Sequence, residues 1–254
     1  MKPYFETEAG KLYHGDCLDV MATLPDGSVD AVITDPPYGT TACKWDSVIP
    51  FEPMWEQLKR VTKKNGAIVL FGSEPFSSAL RMSNIREYKY DWVWDKKLAG
   101  NGILAKRQPL KIHELIHVFS SKVYNPQMSK GKMRVKMTGD IKTSEVNGGD
   151  GVRGTGEYMS DTYYPKSILQ FSLAGLRAGR LHPTQKPVAL MEYLIKTYTN
   201  EGETVFDFTM GSGTTGVAAH RLGRKFIGIE LDEGYCEIAA RRMQKETQQL
   251  RMFK

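Results

Sequence analysis

Two short strings in this chain of 254 residues combine side chains that can do chemistry. The first is Asp35-Pro36-Pro37-Tyr38-Gly39, directly after the apolar run Val29 to Thr34 (VDAVIT). Successive prolines stiffen the backbone and remove two N–H donors, leaving carbonyls free to accept. A carboxylate, an exposed carbonyl and an aromatic ring then converge with little entropy left to lose. Those parts can grip a planar amine, with acceptors for its N–H groups and a ring against its face.

The second string is Gly211-Ser212-Gly213-Thr214-Thr215-Gly216, between a strand pattern and a helix pattern. Glycines let the backbone approach a ligand, and a helix start offers unpaired N–H groups. Glu230 ends the next strand, where a carboxylate can bind ribose hydroxyls. Together these satisfy the dinucleotide fingerprint, so a nicotinamide cofactor is an open alternative at this stage. Asp207, at the end of the preceding strand, leans the other way. It would oppose a pyrophosphate but suits an aminoacyl ammonium. No Lys-Ser or Lys-Thr follows the loop, so a P-loop is excluded.

His113-Glu114-Leu115-Ile116-His117 spells the zinc-peptidase string HExxH. The extended pattern fails at Ser120 and Val123, and a strand reading splits the carboxylate from both histidines. No metal site is expected. Cys17, Cys43 and Cys236 form no CxxC pair, and none follows a proline. Neither a disulfide framework nor a thiol nucleophile is legible, which fits a reducing cytoplasm.

The elements that position these strings follow from periodicity. Ala67 to Phe71, Tyr90 to Trp94, Leu110 to Phe119, Thr204 to Phe208 and Lys225 to Glu230 read as strands. Phe51, Met54, Trp55, Leu58 and Val61 recur at helical spacing, with Asn65-Gly66 expected to end that helix. Further helices are expected after Pro187, over Thr214 to Leu222, and from Asp232 to about Gln244. The alternation predicts an α/β fold with a mostly parallel sheet.

Hydrophobic residues at 41% and charged residues at 25% are globular values, which exclude wholesale disorder. No apolar run is long enough to span a membrane, and the first residues lack a signal-peptide pattern. The net charge is +6, which permits a polyanionic partner. Ser121 to Lys142 holds six basic residues against one acidic, and Asn147 to Gly156 is half glycine. That stretch reads either as a solvated insertion or as a basic, loop-rich arm for phosphates.

Taken together, the strings resemble the amino-methylating DNA methyltransferases whose catalytic motif precedes the cofactor motif. DPPY resembles that family's tetrad, and FDFTMGSGTT resembles its DPFxGSGTT. FIGIE, the segment His182 to Pro187 (HPTQKP) and Leu12 to Leu18 (LYHGDCL) resemble its other cofactor segments. One departure stands out. Family members commonly have Pro-Phe after the motif aspartate, where this chain has Phe208-Thr209.

The resemblance implies a Rossmann-like methyltransferase fold using S-adenosyl-L-methionine on double-stranded DNA. Asp35, Pro36, Pro37 and Tyr38 would be catalytic. Asp16, His182, Lys186, Asp207, Gly211, Ser212, Gly213, Thr214, Thr215 and Glu230 would hold the cofactor, Lys186 at its carboxylate and Asp16 at its adenine. Residues 1–120 would form the catalytic half, 121–170 a target-recognition insertion and 171–254 the cofactor half. Lys130, Lys132, Arg134, Lys136 and Arg153 would contact DNA, the two arginines as base readers. The expected product is N6-methyladenine. N4-cytosine methylation, a nicotinamide-dependent oxidoreductase and a non-catalytic DNA-binding module are the alternatives. A homodimer and a cognate restriction endonuclease are partners the resemblance leaves open.

Overall fold

The apolar runs become strands because branched and aromatic side chains pack on both faces of a sheet. The computed structural model describes residues 1–41, 46–100, 102–138, 156–173 and 185–252, with backbone alone at 136–138, 156–158 and 250–252. Its strands are β1 (Phe5–Thr7), β2 (Gly10–His14), β3 (Val29–Thr34), β4 (Thr62–Gly72), β5 (Tyr88–Asp95), β6 (His113–Phe119), β7 (Ser129–Thr138), β8 (Gly156–Tyr163), β9 (Ile168–Gln170), β10 (Thr204–Asp207) and β11 (Lys225–Glu230). The helices are α1 (Cys17–Thr23), α2 (Phe51–Val61), α3 (Phe76–Ser83), α4 (Val188–Tyr198), α5 (Thr214–Arg221) and α6 (Glu233–Met252).

The larger of two compact units, Met1–Asn125 with Ser167–Lys254, holds a sheet in the order β1-β2-β11-β10-β3-β4-β6-β5-β9. Strands β2, β11, β10, β3 and β4 are mutually parallel, while β6 runs antiparallel to both β4 and β5. Alternate residues of β4 enter different cores. Ala67, Val69 and Phe71 join the core formed with α4, α5 and α6, and Ile68 and Leu70 join that formed with α1, α2 and α3. The sheet is thus a middle layer buried on both faces. Neighbouring β3 and β10 send their following helices to opposite faces, which opens a crevice at their carboxyl ends.

The helix expected to stop at Asn65-Gly66 ends earlier, at Val61, where Thr62 turns extended and its N–H bonds Leu58 O. Asn65 and Gly66 lie inside β4, in an irregular stretch where Val29 pairs Thr62 but Ala31 pairs Ala67. A Cβ at Gly66 would stand 2.6 Å from the Asp30 carbonyl oxygen. The glycine therefore serves a close strand approach, not a helix cap. At the other end of the chain, the last helix runs on past Gln244 to Met252.

The smaller unit, Pro126–Lys166, is the antiparallel pair β7–β8. The stretch expected to be loop-rich is thus in part a hairpin, because lysines and arginine alternate with Met133 and Val135 at the two-residue period of a strand.

Gly66→Ala should cost about 1–3 kcal/mol through overpacking against β3. Asn65→Ala, at an exposed position, should stay within about 0.5 kcal/mol. Urea unfolding of the two variants measures the contrast, and equal effects would contradict the strand assignment.

Candidate active site

Strand direction gathers the chemistry at one edge. Asp35 follows β3, Asp207 ends β10, Glu230 ends β11, and Asp16 lies just beyond β2. Since β6 is antiparallel to β4, its first residues, His113 and Glu114, reach this same edge. A cavity of about 390 Å³ opens there. Asp16, Asp35, Pro37, Lys186, Asp207, Gly211, Ser212, Thr214, Thr215 and Glu230 line it, among apolar walls that include Ile49, Met191 and Phe208. Of the expected cofactor residues only Gly213 and His182 are not in that lining, and His182 lies outside the described residues.

Asp207 is almost fully buried and closes the crevice floor. Thr34 Oγ1 donates to its Oδ1 at 2.6 Å, Thr215 Oγ1 to its Oδ2 at 2.5 Å, and the Thr209 N–H to Oδ1 at 3.2 Å. Burial pushes its carboxyl up to about 6, against the downward pull of those donors. Thr209 explains the departure from the usual Pro-Phe. Its hydroxyl lies 3.0 Å from the Asp35 carbonyl oxygen, to which it donates, and 2.7 Å from Thr34 Oγ1. Phe208, by contrast, is 1% exposed and packs against Phe206. The two strings are thereby joined through threonine hydroxyls.

The glycine loop is held by contacts on both sides. Glu230 accepts the Gly211 N–H at 2.6 Å and the Asp232 N–H at 2.9 Å. Gly213 caps α5 at φ 80°, and a Cβ there would come within 2.8 Å of Ala239 Cβ on α6. Arg242, also on α6, donates to Ser212 Oγ at 3.0 Å and Thr214 Oγ1 at 3.2 Å. Asp16 caps α1 by accepting from the Leu18 N–H at 2.8 Å.

The Asp35 loop has its own anchor in Asp46. One carboxylate oxygen of Asp46 accepts the N–H groups of Tyr38 (2.7 Å) and Gly39 (2.9 Å), and the other accepts those of Thr40 (2.9 Å) and Thr41 (2.7 Å). Burial raises its pKa, but the Thr41 side chain and these backbone donors outweigh it and hold the carboxyl below its ordinary range. Tyr38 stacks on Phe76 at 5.1 Å between centroids and donates its hydroxyl to Asp35 Oδ1.

Lys186 donates to Asp35 Oδ2 and lies 3.2 Å from Glu114 Oε2. Its ammonium also sits 5.0 Å from the Phe71 ring centroid. Lys96 approaches Glu114 Oε1 at 3.1 Å. Burial would lower the Lys186 pKa, but the flanking carboxylates raise it above the usual range. Burial, with the Glu114 charge, holds Asp35 above the usual carboxylate range despite Lys186. Sequence reasoning missed Glu114, Asp46, Thr34, Thr209 and Arg242. Only Glu114 left a trace, as an acidic residue opening a strand that is otherwise buried and apolar. The HExxH string itself is strand, with His113 exposed and His117 buried within 2.9 Å of Ser77 Oγ.

In the hairpin unit Lys130 and Lys132 are exposed. Arg134 lies 3.8 Å over the Tyr163 ring and donates to Thr162 O at 2.8 Å, so its guanidinium serves the hairpin itself. The Lys136 side chain and Arg153 lie outside the described residues.

The raised Asp207 pKa has a signed consequence. The folded chain keeps this proton above the pKa of a free aspartate, so the stability that Asp207 contributes falls as pH rises from 4 to 6. The difference between wild type and Asp207→Asn, from urea unfolding at pH 4 and pH 7, should shift in the variant's favour by on the order of 2–3 kcal/mol.

Comparison with known proteins gives this geometry a context. The family model N6_N4_Mtase, described as DNA methylase, matches residues 29–241. The type II methyltransferase M2.DpnII of Streptococcus pneumoniae is 29% identical over 97% of this chain and 94% of its own. The crystal structure of an M1.HpyAVI–SAM complex is 26% identical with a TM-score of 0.61, covering 92% of this chain and 98% of the other. The cytosine-N4-specific PvuII DNA methyltransferase shares the fold at 19% identity and a TM-score of 0.69, over 97% and 93% of the two chains. With the family match spanning both the Asp35 string and the glycine loop, the chain belongs to the N6_N4_Mtase family of DNA methylases.

Proposed function

We propose that this chain transfers a methyl group from S-adenosyl-L-methionine to the exocyclic N6 of an adenine flipped out of duplex DNA. One adjacency carries the reading: the Asp35 backbone is hydrogen-bonded through Thr209 to the floor of the cavity that Asp207, Gly211 and Glu230 line. The cavity fits that cofactor chemically. Glu230 suits ribose hydroxyls, Asp207 an ammonium, and Ile49, Met191 and Phe208 supply apolar contact for an adenine or thioether. Its volume of about 390 Å³ falls within the ordinary range for such ligands. When bound, the cofactor supplies an electrophilic methyl group on a sulfonium.

The protein's part is positioning and electrostatics. An aryl amine is a poor nucleophile because its lone pair is conjugated with the ring. The Asp35 carboxylate and the Pro36 carbonyl accept its two N–H bonds and favour a pyramidal nitrogen with the lone pair aimed at the methyl group. Each carboxylate oxygen has two lone pairs, so Asp35 can serve Tyr38, Lys186 and the amine together. It stabilises positive charge as this develops on nitrogen and then takes the proton. The tyrosine ring offers a face to the base, whose extrusion costs a few kcal/mol.

Lys130 and Lys132 are exposed on β7, and with Lys136 further along the strand they suit phosphate contacts. Arg153 remains the candidate for base readout. Adenine is favoured over cytosine by the aspartate that opens the tetrad.

Asp35→Ala should abolish tritiated-methyl transfer to DNA while leaving cofactor affinity within a few-fold. Retained turnover would remove Asp35 from the chemistry, and mapping of the methylated base would separate adenine N6 from cytosine N4. Replacing Lys130, Lys132 and Lys136 with Ala should lower the slope of log K against log salt by about 2–3. An unchanged slope would assign DNA contact elsewhere.

A further inference from the structure

We infer that Glu114 is a positioning residue that holds Lys186 in a shared ion pair and so leaves Asp35 able to receive the target amine. The inference rests on the methyl-transfer reading and adds to it a residue from the HExxH string. Lys186 is buried and placed between two carboxylates, Asp35 Oδ2 and Glu114 Oε2. A buried ammonium with one carboxylate partner would be bound tightly to it, because the low dielectric strengthens the pair. A second carboxylate on the same ammonium divides that attraction. Lys96, 3.1 Å from Glu114 Oε1, fixes the glutamate from its other oxygen.

The charge count supports the same role. Asp35, Glu114, Lys186 and Lys96 sum to zero, so this ion-paired cluster adds no net charge beside a cationic cofactor. Methyl transfer moves positive charge from sulfur to the amine nitrogen beside Asp35. The Lys186 ammonium opposes that charge, and the Glu114 carboxylate offsets it through space. Without Glu114 the ammonium would both occupy Asp35 more fully and repel the developing cation. Both effects act on the chemical step, not on the glycine loop or Glu230.

Single-turnover methylation of DNA and cofactor binding by calorimetry, run on wild type, Glu114→Gln and Glu114→Asp, test this. The isosteric Glu114→Gln should slow transfer by about tenfold or more, with cofactor Kd within about twofold. Glu114→Asp keeps the charge and should recover most of the lost rate. Wild-type turnover in Glu114→Gln, equal losses in both variants, or a rate loss matched by weaker cofactor binding would each overturn the role of Glu114 while leaving methyl transfer intact. A wild-type chain that transfers no methyl group to DNA would overturn the functional reading, and this inference with it.

Discussion

Asp207 is a buried carboxylate at the seam between two neighbouring parallel strands, and the site depends on how its hydrogen bonds are filled. Its donors come from both halves of the chain: Thr34 at the end of β3, and Thr209 and Thr215 after β10. Leaving such a group unsatisfied would cost several times a typical hydrogen bond. The cheapest arrangement ties the Asp35 loop to the glycine loop. Thr209 extends the tie to the Asp35 carbonyl. The register between the two loops is thus set by backbone and hydroxyl contacts, with no need for a ligand to impose it.

The same low dielectric governs the other acids of the site. Asp35 and Asp207 are pushed up by burial, while Asp46 is held down by the Thr41 side chain and backbone N–H groups and Glu114 by its ammonium partners. Four carboxylates within one edge of a sheet therefore have different tasks. Asp46 is an anchor, drawing four backbone N–H groups into one turn and fixing the Asp35-Pro36-Pro37-Tyr38 backbone. Asp35 is the acid that the Tyr38 hydroxyl and the Lys186 ammonium both contact. Lys186 is tied to it by direct contact and also lines the cavity.

In the hairpin unit Lys130 and Lys132 are exposed, and so are Met133 and Val135. Arg134 is drawn onto Tyr163 and donates to Thr162 O. A guanidinium that stacks on an aromatic ring and bonds a carbonyl gives the small hairpin part of the order that it cannot obtain from a core of its own.

By itself the sequence determined the elements and the two strings. Strand and helix periods, proline stiffness and glycine turns are local properties, and they act over a few residues whatever the rest of the chain does. Even there, Asn65-Gly66 was misread, because a glycine that permits two strands to approach looks the same in one dimension as a glycine that ends a helix. Only the tertiary structure decided that Lys186 meets Asp35 across 151 positions, that Glu114 turns toward the site while His117 turns away, and that Arg242 braces the glycine loop from the last helix. These pairings follow from strand order and strand direction, which are set by how the apolar faces of the whole chain are buried together. No local spacing encodes them.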